Sequence, residues 1–174
     1  GTGCTPVVTN YVYDAANRLT SVNSQTYTWD NNGNLLNDGA WSYTYDSANR
    51  LTRSRAITGN PQPEYWFTYN GLGDRLQQSV VEYRDCFPAV CDPLPPVTTT
   101  YTLDLNAGLT QVLADGTNTY LYGNGRIAQN STASGKQYFL GDALGSVSQL
   151  VSANGAVTLT RSYEPYGSVL TSAA

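Results

Sequence analysis

Between Tyr11 and Leu51 the chain repeats one phrase three times. Tyr11-Val12-Tyr13-Asp14 precedes Asn17-Arg18-Leu19, Tyr27-Thr28-Trp29-Asp30 precedes Gly33-Asn34-Leu35, and Tyr43-Thr44-Tyr45-Asp46 precedes Asn49-Arg50-Leu51. The first Tyr, the Asp and the Leu of each unit recur every 16 residues. A fixed period constrains the fold more than any single motif, because each unit must adopt one local structure and bury itself against its neighbours.

Each unit reads as strand, turn, strand. Aromatics at i and i+2 share one face of a strand, and Tyr and Trp suit a half-buried pleated surface. Asp opens a turn by accepting a hydrogen bond from the backbone two residues on. Gly33, and Asn17 and Asn49 in the same slot, tolerate the positive φ such a turn requires. Leu begins the return strand. Two strands of about five to six residues and two turns fill one period, so one period is about one β-hairpin.

The pattern Y-x-Y-D-x-x-[GN]-[RN]-L resembles the YD repeat of the Rhs/YD-repeat family of bacterial cell-surface and secreted proteins. The resemblance runs from Tyr11 to Leu170. It implies an all-β fold of antiparallel hairpin repeats forming a twisted, spiral strip. In large relatives such hairpins close into a shell around a cargo. Some relatives end in a self-cleaving segment with an Asp-Pro-x-Gly-Leu-like motif. No such motif follows Gly167, so autoproteolysis is not carried over.

Later stretches vary the theme. Trp66-Phe67-Thr68-Tyr69-Asn70 with Gly73-Asp74-Arg75-Leu76 is a unit stretched by the turn-rich insertion Thr58 to Pro63. Tyr101-Thr102-Leu103-Asp104 with Gly108-Leu109 is a degenerate unit. Asp115-Gly116, Asn124-Gly125 and Asn154-Gly155 are hairpin-turn dipeptides. Gly141 to Val147 and Tyr163 to Gly167 resemble the closing part of the family's repeat core. No stretch carries a capped 3.6-residue period, so no helix is expected. The expected organisation is a lead-in at 1–10, a single repeat domain at 11–170 with a Cys- and Pro-rich insertion at 85–97, and a tail at 171–174.

The three cysteines divide into a close pair and an isolated residue. Cys86 and Cys91 lie in a loop too rich in Pro for a central strand. With no His anywhere and no second pair, zinc is disfavoured, and a small disulfide is the better reading. That implies an extracytoplasmic setting, at the cell surface or beyond it. Cys4 reads either as a free or buried thiol or as a bond to another copy of the chain. With no Met and Gly at position 1, the chain reads as a processed piece or part of something longer.

Catalysis finds little footing. The absence of His removes Ser-His-Asp and Cys-His systems. Asp14, Asp30 and Asp46 would stack if the repeats are in register, with Arg18 and Arg50 neutralising the row, but their turn role already accounts for them. The loop Asp30 to Asn34 has too few acidic residues for calcium. The expectation is no enzyme, no metal and no cofactor. The net charge of −4 and scattered Arg disfavour nucleic acid, and no apolar run reaches the length of a membrane helix.

Three roles remain. Charged residues make up 13% of the chain, against about 25% in typical proteins, so copies repel weakly. An open strip also has two unpaired edges, and the first block carries neither Lys nor Pro to blunt them. The leading expectation is therefore a structural protein that polymerises edge to edge into a fibre, tube or sheath. The alternatives are a fragment of a larger shell enclosing a toxin, and an adhesin that stacks cell-surface polysaccharide on its aromatic rows. Asn130 sits in a glycosylation sequon, and Thr98, Thr99 and Thr100 form a tract that suits O-glycans.

Overall fold

The computed structural model describes residues 8–59, 62–83 and 93–173. Cys4, Cys86 and Cys91 lie outside the described residues, and with them the disulfide and the intermolecular thiol.

Among the described residues every regular element is a β-strand. A three-stranded sheet runs β1 (Tyr11–Tyr13), β2 (Leu19–Val22) and β3 (Gln25–Thr26). A seven-stranded sheet holds β4 (Thr28–Trp29), β5 (Leu35–Asn37), β6 (Trp41–Tyr45), β7 (Leu51–Ala56), β8 (Glu64–Tyr69), β9 (Arg75–Val81) and β10 (Val97–Thr100). An eight-stranded sheet holds β11 (Thr102–Asp104), β12 (Gln111–Ala114), β13 (Asn118–Tyr122), β14 (Arg126–Ser131), β15 (Gly135–Gly141), β16 (Val147–Ser152), β17 (Val157–Tyr163) and β18 (Val169–Ala173). Within each sheet the strands pair in sequence order, and no connection crosses over. The chain falls into two compact units, Gly1–Thr98 and Thr99–Ala174. The first sheet and β4 to β9 of the second belong to the first unit, and the boundary falls within β10.

The expected strand at Tyr27 to Trp29 is divided. Tyr27 lies between β3 and β4, where the chain passes from the first sheet to the second. Its N–H still donates to the Thr20 carbonyl at 2.9 Å, so the seam is one residue wide.

Among the described residues neither unit shows an apolar centre. Among the described residues, Ala56 and Ala128 are the only fully buried hydrophobic residues, and they are joined by the polar Ser54, Glu64, Ser131 and Gln137. Burial instead alternates along the strands. In β8, Tyr65, Phe67 and Tyr69 are half-buried while Trp66 and Thr68 are exposed. In β13, Tyr120 and Tyr122 are half-buried while Thr119 and Leu121 are exposed. The aromatic rows therefore pack at Tyr43/Tyr45, Phe67/Tyr69 and Tyr120/Tyr122. Tyr11 and Tyr13 remain 58% and 54% exposed, because among the described residues no strand pairs with the outer side of β1.

Candidate functional site

The most regular chemistry lies along the turns. At Asp14, Asp30, Asp46, Asn70, Asp142 and Glu164, the backbone N–H donates to the carbonyl four residues on, at 2.8 to 3.0 Å. The carbonyl of the same residue accepts from the N–H three residues on. That third residue has positive φ each time: Asn17, Gly33, Asn49, Gly73, Gly145 and Gly167. At Asp14, Asp30, Asp46, Asn70 and Asp142, Oδ1 also accepts from the N–H groups two and four residues on, at 2.8 to 2.9 Å. Glu164, one methylene longer, keeps the backbone pattern, and no such side-chain bond is seen.

Each of these hairpins carries a bulge beside its turn, with the extra residue in the return strand. Thr44 faces Arg53 while Tyr45 faces Leu51, leaving Thr52 as the extra residue. Its hydroxyl donates to the Thr44 carbonyl at 3.1 Å, as Thr20 does to Val12 and Ser148 does to Leu140. A bulge re-aims the strand, and here a hydroxyl closes the ladder it interrupts.

Successive units are fastened to one another. Arg18 Nε donates to Asp14 Oδ2 at 2.8 Å, and its Nη1 reaches the Asp30 carbonyl at 3.1 Å. Arg50 binds Asp46 Oδ2 at 2.7 Å and the Asn70 carbonyl at 3.0 Å. In the unit between them Asn34 is too short for this, and its Nδ2 donates instead to Asn49 Oδ1 at 2.8 Å. A second set of links comes from the aromatics. Trp29 Nε1 donates to the Leu19 carbonyl at 2.8 Å, Tyr69 Oη to Leu51 at 2.7 Å, and Tyr163 Oη to Val147 at 2.7 Å. In each case the acceptor is the first residue of the preceding return strand.

These contacts set the carboxylate pKa values. The Arg18 backbone N–H and then its guanidinium hold Asp14 below the usual range, and Arg50 does the same for Asp46. At Asp30 the Asn34 amide leads, followed by its backbone N–H. All three Asp residues serve as turn acceptors, and none faces another carboxylate at bonding distance.

A second turn type occurs twice. Asp38-Gly39 and Asp115-Gly116 each open a turn whose Asp Oδ1 accepts two backbone N–H groups. Oδ2 then accepts the hydroxyl of the Tyr five residues on, Tyr43 at 2.8 Å and Tyr120 at 2.6 Å. Burial and then the Asp38 bond push Tyr43 up to about 12. Burial opposes ionisation of Asp115, but the donors Tyr120, Asn118 and Thr117 outweigh it and bring its pKa to about 2.

One buried charged group lies outside the turns. Glu64 is 3% exposed, accepts from Arg53 Nε at 2.5 Å and from Tyr83 Oη at 2.9 Å, and is held below its ordinary pKa. Arg53 also stacks on Trp66 at 4.8 Å, and Arg55 on Tyr83 at 5.8 Å. Beside Glu64 an apolar groove of about 460 Å³ is lined by Trp66, Val81, Tyr83 and Pro93 to Pro96.

The structure thus unites Asp14 with Arg18 and Asp46 with Arg50, as their spacing implied. Leu19, Leu35 and Leu51 face Tyr13, Trp29 and Tyr45 across the hairpins. Asn130 is exposed within β14, and Thr98, Thr99 and Thr100 lie in the edge strand β10, where Thr98 Oγ1 meets Ser79 Oγ at 2.8 Å. Sequence reasoning missed Thr20 and Thr52, the Asp38–Tyr43 and Asp115–Tyr120 pairs, and Glu64. The recurrence of Leu-Thr after Arg18 and Arg50, and of Asp-Gly-x-x-x-Tyr, was visible in the sequence. Glu64 had no such signal.

Hairpins in sequential order, locked turn to turn around positive-φ residues, define a YD-repeat β-sheet protein. The family model of the teneurin YD-shell matches residues 5–174, and the chain belongs to that family. The Rhs/YD-repeat resemblance read from the sequence is borne out. Among solved structures, the chain is similar to the crystal structure of TcdB2-TccC3-TEV, with TM-score 0.53, 15% identity, and coverage of 95% of this chain and 10% of that one. TcdB2-TccC3 without its hypervariable C-terminal region gives TM-score 0.51, 16% identity and the same coverages. The Tc holotoxin pore of Photorhabdus luminescens gives 0.51, 17% and again 95% and 10%. At such identities the likeness is one of fold. The chain spans about a tenth of the length of those structures. Among curated proteins none matches.

Proposed function

We propose that this chain is a length of wall in a YD shell, a structural, extracellular body that encloses a toxin cargo. The observation that carries the reading is the meander of sequential strands in which Ala56 and Ala128 are the only buried hydrophobic residues among those described. A wall must separate two spaces, and such a sheet does so without a closed core. The turn-to-turn ties suit the same task, because they fix the pitch between hairpins where a solenoid would otherwise hinge.

The edge-to-edge fibre keeps one argument. β18 is exposed at all five residues and carries no Lys, Pro or charge, so its outer backbone is open to another strand. Membership of the shell family favours a wall continued by further hairpins over a homopolymer. The adhesin is weaker still, since Trp29 is half-buried with its indole N–H committed to Leu19.

The test is electron microscopy and limited proteolysis of the natural polypeptide that contains this sequence. Hollow particles with a protease-resistant interior segment are expected. Solid filaments without a lumen would overturn the wall and restore the fibre.

A further inference from the structure

The described residues contain four Asn-Gly pairs: Asn32-Gly33, Asn70-Gly71, Asn124-Gly125 and Asn154-Gly155. Such a pair is chemically labile. The glycine backbone nitrogen attacks the asparagine Cγ, the amide leaves as ammonia, and a succinimide ring forms. Water then opens the ring to aspartate or to isoaspartate, whose backbone runs through the side-chain carbon. Glycine favours the attack because no Cβ shields its nitrogen. Two conditions must hold: the asparagine amide must be able to swing onto the backbone, and the attacking N–H must not be held by an acceptor.

Three of the pairs fail these conditions. At the first, Asn32 Nδ2 donates to Asn49 Oδ1 at 3.2 Å, and Gly33 N–H is held by the Asp30 carbonyl at 3.2 Å. At the second, Asn70 Oδ1 accepts from Leu72 and Asp74 N–H at 2.9 Å each, and its Nδ2 donates to Asp74 Oδ2 at 2.9 Å. At the last, Asn154 Oδ1 accepts from Ser152 Oγ and from Ala156 N–H, while Gly155 N–H donates to the Ser152 carbonyl at 2.9 Å.

Asn124 differs on every count. Its turn is closed by Gly123 N–H to the Gly125 carbonyl at 2.9 Å, which engages neither the Asn124 amide nor the Gly125 N–H. Asn124 is exposed. Gly125 has φ 142°, and apart from its chain neighbours no atom lies within 4 Å of where its Cβ would stand, so nothing crowds the residue that supplies the attacking nitrogen.

We propose that Asn124 is a site of spontaneous covalent modification, converted through succinimide to aspartate and isoaspartate, while hydrogen bonds protect the other three asparagines. The product places a carboxylate two residues before Arg126. That guanidinium stacks on Tyr120 at 4.7 Å and on Tyr122 and Phe139 at 5.7 Å each. Isoaspartate also lengthens the backbone in the turn joining β13 to β14, so conversion loosens that hairpin.

Folded protein aged in mildly alkaline buffer and mapped by peptide mass spectrometry tests this. Asn124 is expected to convert roughly tenfold or more faster than Asn32, Asn70 and Asn154, the cost of releasing a hydrogen bond before attack. In concentrated urea the four rates should converge, which separates protection by the fold from sequence effects. Asn124→Gln should abolish the early product and leave the folded spectrum unchanged. The proposal fails if any of the other three matches Asn124 in folded protein, or if Asn124 converts only in urea.

Discussion

Asn70 donates through Nδ2 to Asp74 Oδ2 at 2.9 Å, the reverse of the polarity at Asp14 and Arg18, where the first residue accepts and the fifth donates. The turn backbone is the same in both. What the repeat requires is thus a donor facing an acceptor across four residues, and either order serves.

Asn70→Asp sets two carboxylates against each other and is expected to cost about 1–2 kcal/mol. Asn70→Asp with Asp74→Asn recreates the Asp30–Asn34 pair and should recover most of the loss. Urea denaturation of the single and double variants reads the coupling. Equal stability of all three would show that the contact contributes nothing.

Arg50 joins two hairpins through Asp46 and the Asn70 carbonyl, and it stacks on Tyr69 at 5.1 Å. An ammonium cannot hold two divergent acceptors in a planar fork. Arg50→Lys is therefore expected to lose about 1–2 kcal/mol, with hydrogen exchange accelerating at the Asp46 turn and the Asn70 turn together. Exchange confined to the first turn would refute the inter-repeat role.

Asn17 and Asn49 both adopt positive φ, 60° and 59°, but only Asn49 also accepts side-chain bonds, from Asn32 and Asn34. Glycine satisfies the φ requirement at either site. Asn49→Gly should then be less stable than Asn17→Gly by about 1 kcal/mol, the worth of the lost bonds. Matching thermal midpoints would sink this reading.

The Asp–Tyr pairs give a pH signature. Asp115 falls from 3.8 to about 2 on folding, so its contribution is complete above about pH 4 and disappears as pH drops toward 2. Tyr43 rises from 10.0 to about 12, so its contribution is complete below pH 10 and disappears between about 10 and 12. Tyr120→Phe should flatten the acid limb of the stability profile. Phenolate absorbance should show Tyr43 ionising late in wild type and earlier in Asp38→Asn.

Glu64→Gln removes the charge facing Arg53 and Arg55 in a sheltered site. Breaking a buried pair costs about 3–5 kcal/mol, and with Arg53 one-third exposed about 2–3 kcal/mol is expected. A shift in denaturation midpoint of less than half that would place the cluster among inert surface pairs.

The sequence by itself determined the hairpins. Asp14, Asn17 and Leu19 specify their turn through bonds that span at most four residues, so the chain's local order contains all the partners. The 16-residue period carried that turn along the first block, and the same logic made Asp115-Gly116 and Asn154-Gly155 readable as turns. Only the tertiary structure decided which residues fasten one hairpin to the next. Arg18 meets Asp30, Trp29 meets Leu19, and Arg53 meets Glu64 across 10 to 12 residues, while Arg50 meets Asn70 across 20. It also decided that Tyr11 and Tyr13 stay exposed, since among the described residues β1 pairs on one side alone. Bonds within a turn are fixed by chain geometry, whereas bonds between hairpins depend on how the strands pair and on where each bulge re-aims them, and the residue pattern does not encode those directions locally.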